Sequence, residues 1–92
     1  MTEKALQLKL VKWLKKKNIY HIKIISASTA GQPDYLCCIR GKFVAIECKS
    51  SDGVQSDLQK YREKEIKNQG GEYVLLTPNN WDFVNDILKC KL

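Results

Sequence analysis

Two acidic residues flank the most apolar stretch of this chain, one on each side of a predicted tight turn. Asp34 precedes the run Tyr-Leu-Cys-Cys-Ile, and Glu47 follows the run Phe-Val-Ala-Ile. A two-residue hairpin turn at residues 40–41 pairs Ile39 with Lys42. The same register places Asp34 opposite Glu47, where Cβ atoms lie roughly 5 Å apart. The sequence therefore predicts two carboxylates side by side.

Two carboxylates at this spacing repel each other, and an unpaired buried charge is costly. A hard divalent cation with oxygen ligands removes the conflict. Lys49 lies two residues beyond Glu47, so both side chains point to the same face of the strand. The lysine can offset negative charge and hold a water molecule near the metal. Asp34, Glu47 and Lys49 are therefore the predicted core of an active site.

Hydrophobic periodicity and turn residues predict an α/β fold. An amphipathic helix over residues 3–17 begins at a cap, Thr2, and ends at Asn18. Strands are predicted over residues 19–25, 34–39, 42–49 and 72–76, and further helices over residues 55–69 and 81–90. This order implies a mixed four-stranded sheet flanked by helices. The 92 residues are predicted to form a single domain, residues 1–92.

Two further polar residues lie on helix faces that should point inward. Glu3 aligns with the apolar stripe of the first helix. It either reaches the same site or stabilises the positive helix N-terminus. Gln59 shares a face with Gln55, Arg62 and Ile66 on the next helix. It either serves the site or satisfies backbone groups at the sheet edge.

A net charge of +6 favours a polyanionic partner, because Lys and Arg that neutralise phosphates release condensed counterions. The alternative for each cation is an ordinary solvated surface. The sequence has no apolar run of membrane-spanning length and lacks the apolar core of a signal peptide. We therefore expect a cytoplasmic protein with no membrane partner. The candidates for contact with nucleic acid are Lys9, Lys12, Lys16, Lys23, Arg40 and Lys42.

The cysteines do not suggest a metal site of their own. Cys37, Cys38, Cys48 and Cys90 lack the paired spacing that is typical of zinc ligands. Cys37 and Cys38 are neighbours in a predicted strand and should point to opposite faces. All four are predicted to be small buried hydrophobes in a reducing compartment.

The chain resembles the PD-(D/E)XK nuclease superfamily, and within it the VRR-NUC family. The resemblance rests on Gly-Gln-Pro-Asp at residues 31–34 and Glu-Cys-Lys at residues 47–49. It also includes a glutamine on the following helix and a glycine, Gly70 or Gly71, before the next strand. It covers nearly the whole chain and implies a restriction-endonuclease-like αβββαβ core.

This resemblance implies an endonuclease that hydrolyses DNA phosphodiesters with Mg²⁺ or Mn²⁺. Its motif residues would then divide into metal ligands and groups that support the reaction. The ligands would be Asp34, Glu47 and the backbone carbonyl of Cys48. Lys49 would position or activate the attacking water, while Glu3 and Gln59 match the family's first-helix acid and second-helix glutamine.

Standalone members of the family are often phage-encoded homodimers that resemble Holliday-junction resolvases. The resemblance thus implies a homodimeric, structure-specific endodeoxyribonuclease that acts on branched DNA, in the host-cell cytoplasm if it is phage-encoded. The alternatives are a DNA-binding module that has lost catalysis and a protein-interaction module. Retention of the three core residues argues for activity. The loop of small residues at 26–30 is not distinctive and receives no role.

Overall fold

The helices and strands of the computed structural model follow the predicted order. The structure describes residues 1–90, except for the side chains of Phe83, Ile87 and Cys90. Within residues 1–90, no helix is both long and apolar enough to cross a lipid bilayer. The elements are α1 (Glu3–Lys16), β1 (Tyr20–Lys23), β2 (Tyr35–Ile39), β3 (Lys42–Cys48), α2 (Asp57–Asn68), β4 (Glu72–Leu76) and α3 (Trp81–Cys90).

A two-residue turn joins β2 to β3. Residues 40 and 41 have φ angles of 51° and 83°, and positive φ at both positions is typical of the type I′ turn that matches strand twist. The strands are antiparallel, with Ile39 opposite Lys42, so the predicted register is confirmed. Followed outward, the same register brings Asp34 beside Glu47.

The four strands form one mixed sheet in the order β1-β2-β3-β4. Strands β1, β2 and β3 are antiparallel neighbours, whereas β3 and β4 are parallel. Parallel neighbours require a crossover connection, and α2 provides it. The predicted α/β fold with a mixed four-stranded sheet and flanking helices is therefore confirmed.

One face of the sheet carries the hydrophobic core. Leu6, Leu10 and Leu14 recur at helical spacing and are 0% exposed, so α1 presents a continuous apolar stripe. The stripe packs on inward-facing residues of β2, β3 and β4, and α3 adds Val84 and Leu88. This packing fixes the position at which α1 begins relative to the sheet.

Helix α2 covers the other face along β3 and β4. It begins with a capping box in which the Ser56 hydroxyl accepts from the Gln59 N–H at 3.1 Å and Gln59 Oε1 accepts from the Ser56 N–H at 2.9 Å. At the other end, a Cβ on Gly71 would lie 2.8 Å from Cγ2 of Ile66. The glycine therefore allows α2 to lie close to the start of β4.

Several predicted boundaries differ by one or two residues. The elements α1, β3 and α2 end one residue earlier than predicted, β1 ends two residues earlier, and β2 begins one residue later. At two other starts, local hydrogen bonds compete with the hydrophobic pattern. The N–H of Ile19 donates to the carbonyl of Leu14 at 3.0 Å, so β1 begins one residue later than predicted. Helix α2 begins at Asp57 rather than at residue 55, because Ser56 is its N-cap. A serine three residues before a glutamine is the sequence signal for this start.

The prediction for the cysteines holds at two of the three that the structure describes fully. Cys37 and Cys48 are buried free thiols, whereas Cys38 is exposed. Cys38 lies opposite Tyr20, which is 70% exposed, on the part of the sheet face that α2 leaves open. The prediction of burial is therefore wrong for Cys38. The side chain of Cys90 lies outside the described residues.

Truncation within the α1 stripe should destabilise the fold. Leu10 is 0% exposed, and Leu→Ala changes at such positions lower the free energy of unfolding by about 2–5 kcal/mol. Leu8→Ala is the matched control, because Leu8 is 60% exposed and should cost less than about 0.5 kcal/mol. Urea denaturation followed by circular dichroism measures both variants. Equal losses would contradict the anchoring role of the stripe.

Candidate metal centre

Three carboxylates from separate parts of the chain meet at one end of the sheet. Glu3 begins α1, Asp34 directly precedes β2, and Glu47 lies in β3. One oxygen atom from each lies within 4.8 Å of the other two. The predicted juxtaposition of Asp34 and Glu47 is therefore confirmed. Glu3 fulfils both interpretations, since it reaches the cluster and also lies in the positive first turn of its helix.

Asp34 is held by backbone hydrogen bonds on both sides. Its Oδ2 atom accepts from the Cys48 N–H at 2.8 Å. Its backbone carbonyl accepts from the Ile24 N–H at 2.8 Å, which continues the pairing of β1 with β2. These two hydrogen bonds join the carboxylate and the backbone of Asp34 to the neighbouring strands.

Glu47 is 1% exposed and is held from α2. The Gln59 Nε2 group donates to Glu47 Oε1 at 2.9 Å. Because Gln59 Oε1 accepts from the Ser56 N–H, the capping box determines which end of the amide faces the acid. Gln59 therefore contacts the carboxylate cluster, as one of the two interpretations expected. Sequence reasoning missed the part played by Ser56.

The electrostatics of the cluster favour oxygen ligation over sulfur. Burial, followed by the hydrogen bond to Asp34 and its charge, raises the pKa of Glu47 from an ordinary 4.5 to about 8, against the opposing charge of Lys49. Because the raised pKa leaves the Glu47 carboxyl protonated in the metal-free protein at neutral pH, Glu47 is the donor in its hydrogen bond with Asp34. Burial, followed by the charge of Asp34, raises the pKa of the Cys48 thiol to about 12. At neutral pH this thiol is protonated, so carboxylate oxygens are the donors for a cation.

The metal-free protein should lose stability as the pH rises. Since the pKa of Glu47 is about 8 in the folded state against 4.5 ordinarily, the folded state binds more protons between these values. Glu47 therefore stabilises the fold fully below about pH 4.5, and this contribution is lost as the pH rises through about 8. Glu47→Gln stays neutral and should show no such loss. Urea midpoints in EDTA from about pH 5 to about pH 9 compare the two proteins, and a constant difference would contradict the assignment.

A second contact ties the beginning of α1 to β2. The Tyr35 hydroxyl donates to Gln7 Oε1 at 3.4 Å, and Gln7 lies one turn after Glu3 on the same side of the helix. This contact steadies the helix end that carries Glu3. Sequence reasoning missed the pair, because a tyrosine in a strand gives no signal of its partner on a distant helix.

Two lysines border the acidic cluster. Lys49 follows Glu47 on the same face, and its charge opposes the rise in the pKa of that acid. Lys23 ends β1 opposite Tyr35, beside Asp34. The structure therefore brings both predicted lysines to the carboxylate end of the sheet.

The other predicted nucleic-acid contacts lie away from the acids. Lys42 is five residues before Glu47 in β3, about 17 Å away at about 3.4 Å per residue. Arg40 lies in the hairpin turn beyond it. Lys16 is thirteen residues after Glu3 in α1, about 20 Å away at 1.5 Å per residue. These cations therefore do not form part of the carboxylate cluster.

Some of these cations contact other side chains. Lys42 Nζ lies 3.6 Å from Glu72 Oε1, and Lys9 Nζ lies 4.4 Å from the centroid of the Trp81 ring. Lys12 is exposed on the outer face of α1. A phosphate would compete with these weak surface contacts. The cations thus form a dispersed basic surface.

The donor set of the cluster fits a hard divalent cation. Carboxylate oxygens are ligands that Mg²⁺ and Mn²⁺ prefer, and the three acids present them at one place. Of the three acids Glu47 is buried, and a charged carboxylate in that position requires a compensating charge. The backbone carbonyl of Cys48 stays a predicted further ligand.

Comparison with known proteins adds no family to this description. No protein-family model matches the chain, and no curated protein or solved structure does so. What the site can do therefore follows from its own residues and geometry.

Proposed function

We propose that this chain is a metal-dependent nuclease that hydrolyses DNA phosphodiesters, with Glu3, Asp34 and Glu47 as its acidic residues. The observation that carries the proposal is the convergence of these carboxylates within 4.8 Å, although they are far apart in the sequence. Folding alone gives no reason to gather acids around a side chain that is 1% exposed, because without a cation this carboxyl must keep its proton, with its pKa raised to about 8. The resemblance of the Pro-Asp and Glu-Cys-Lys segments to nuclease motifs supports the same conclusion.

The residues of the cluster suit this reaction. When bound, Mg²⁺ or Mn²⁺ polarises a phosphate oxygen and lowers the pKa of a water molecule. Asp34, Glu47 and the backbone carbonyl of Cys48 would hold the metal ion. Lys49 holds the attacking water and offsets the charge that develops on the phosphate. Gln59 keeps Glu47 oriented through the 2.9 Å hydrogen bond.

DNA is the substrate that the charge distribution favours. The net charge of the chain is +6. Its lysine and arginine side chains extend up to about 20 Å from the acids. A long polyanion reaches such cations, whereas a small phosphate ester does not. The proposal extends to a restriction-endonuclease-like αβββαβ core, a cytoplasmic location and a homodimer that resembles a Holliday-junction resolvase. Two sites in a homodimer would suit branched DNA, which has two strands to cut.

Cleavage of a DNA panel tests the proposal. Junction, flap, single-stranded and linear duplex DNA are incubated with Mg²⁺, Mn²⁺ or EDTA, and sedimentation measures the size of the protein in solution. We expect cleavage that needs metal, is fastest on branched DNA and is lost in Glu47→Gln. Equal cleavage by Glu47→Gln would refute the site. Binding of DNA without cleavage would identify a DNA-binding module. The absence of salt-dependent DNA binding would identify a protein-interaction module.

A further inference from the structure

The chain segment that leads into Asp34 is attached to α2. This segment, the β1–Asp34 loop, comprises residues 24–33 and lies outside the strands. The Nε group of Arg62 donates to the backbone carbonyl of Ala30 at 2.9 Å. The loop is therefore tied to the helix only four residues before the acid.

The glycine after this contact brings the loop closer still. Gly31 has φ of +81°, and a Cβ on it would lie 2.6 Å from Cγ of Leu58 and 3.1 Å from the backbone of that residue. A Cβ there would force the Leu58 side chain, the loop or the helix to shift. Gln32 Nε2 also donates to Thr29 Oγ1 at 2.8 Å, which closes the loop on itself. Two successive positions of the loop therefore pack against α2.

Arg62 is itself held in the geometry that this contact needs. Its Nη1 group donates to Glu65 Oε1 at 2.7 Å, and its side chain is only 18% exposed. The charged guanidinium makes the bond to the carbonyl a charge-assisted one. The planar guanidinium presents its donors in a fixed arrangement that makes both contacts at once. A lysine has a single ammonium on a flexible side chain and lacks this arrangement.

Helix α2 thus contacts one member of the central acid pair directly and the loop that leads to the other. Gln59, three residues before Arg62, donates directly to Glu47, and Arg62 holds the loop that carries Asp34. We propose that Arg62 is a positioning residue for Asp34, which it keeps within ligand distance of Glu47 through the carbonyl of Ala30. The consequence for metal binding rests on the proposed function, whereas the placement of Asp34 is independent of any metal.

The Cys48 amide reports the placement of Asp34, because it donates to Oδ2 of that acid at 2.8 Å. In ¹⁵N-labelled, metal-free protein, Arg62→Met should shift the Cys48 amide resonance and accelerate its hydrogen exchange several-fold. Arg62→Lys should restore only part of the wild-type behaviour. Lys60→Met, the loss of an exposed cation on the same helix, should leave the amide unchanged. An unchanged Cys48 amide in Arg62→Met would overturn the proposal.

Gly31→Ala displaces the same loop by an independent route and decides the question if Arg62→Met does not fold. It should shift the Cys48 amide in the same way. Leu58→Ala in the same chain should partly reverse the shift, because the side chain that clashes at 2.6 Å is then absent. An unchanged Cys48 amide resonance in Gly31→Ala would overturn the proposal.

Calorimetric titration with Mn²⁺ measures the consequence for the metal. Arg62→Met should bind Mn²⁺ about tenfold more weakly than the wild type, the scale expected when a group that supports a ligand is lost. Lys60→Met should bind as the wild type does. A wild-type protein that binds no Mn²⁺ would refute the proposed function and not the role of Arg62, which the Cys48 amide decides. Wild-type affinity in Arg62→Met with an unchanged amide would overturn the positioning role.

Discussion

Glu47→Gln should lower kcat/KM for metal-dependent DNA cleavage by about a thousandfold, because losing about 4 kcal/mol of metal-assisted stabilisation has that effect. The amide keeps the shape of the side chain, and its NH₂ group can still donate to Asp34. It cannot carry the negative charge that holds a divalent cation. Single-turnover cleavage of a labelled junction at saturating Mg²⁺ measures the change.

The stability of the same variant separates lost chemistry from lost structure. Metal-free Glu47→Gln should be more stable than the wild type above about pH 8, because the repulsion among Glu3, Asp34 and ionised Glu47 is removed. A gain of about 0.5–2 kcal/mol is typical when a functional constraint is relaxed. An inactive variant that is also less stable at this pH would show that Glu47 serves folding and not metal binding.

Lys49→Met should lower kcat by about 10²–10³-fold, the size of effect seen when one group that stabilises transition-state charge is removed. Its effect on the metal should have the opposite sign to that of Glu47→Gln. Because a cation beside the site is removed, Mn²⁺ affinity should be unchanged or increased. Cleavage kinetics and Mn²⁺ titration on one preparation measure both quantities.

The matched control for Lys49→Met is Lys42→Met. Lys42 lies in β3, the strand that contains Glu47, about 17 Å from that acid. Its loss should therefore reduce kcat little and leave Mn²⁺ affinity unchanged. If Lys49→Met loses Mn²⁺ affinity, Lys49 supports the acids and does not act on water. Equal kinetic losses in the two variants would indicate a general charge effect.

The central acid pair was predictable because local rules determine it. A two-residue turn at residues 40–41 sets the register, and a slip by one residue would move every side chain to the other face of the sheet. Asp34 and Glu47 are therefore opposed in any hairpin with this turn. The distance of Lys42 and Arg40 from the acids follows from the same strand length.

The start of α2 required a different signal. No described residue of α2 is fully buried, so the apolar pattern marks its ends poorly. The Ser56 and Gln59 pair carries the information instead, since a capping box depends on spacing and not on hydrophobicity. Gln59 makes the predicted contact with the site, but the backbone group that it also binds is the Ser56 N–H at the start of α2 and not a group at the sheet edge.

The attachment of the β1–Asp34 loop could not be predicted from residue types. Arg62 donates to the backbone carbonyl of Ala30. Because every residue has such a carbonyl, the residue type at this position does not indicate the contact. The contact also depends on where α2 lies across the sheet, which is a tertiary arrangement. Gly31 gave a signal as part of the motif, but the side chain it accommodates, Leu58, was visible only in the fold.

Crystals grown with Mn²⁺ and measured at a wavelength where manganese scatters anomalously test the central claim most directly. We expect one anomalous peak among the three acids, about 2 Å from carboxylate oxygens of Asp34 and Glu47, as hard cations are bound. The peak should be absent from Glu47→Gln crystals grown in the same way. A wild-type crystal without a peak there, or with manganese bound only elsewhere, would contradict the account.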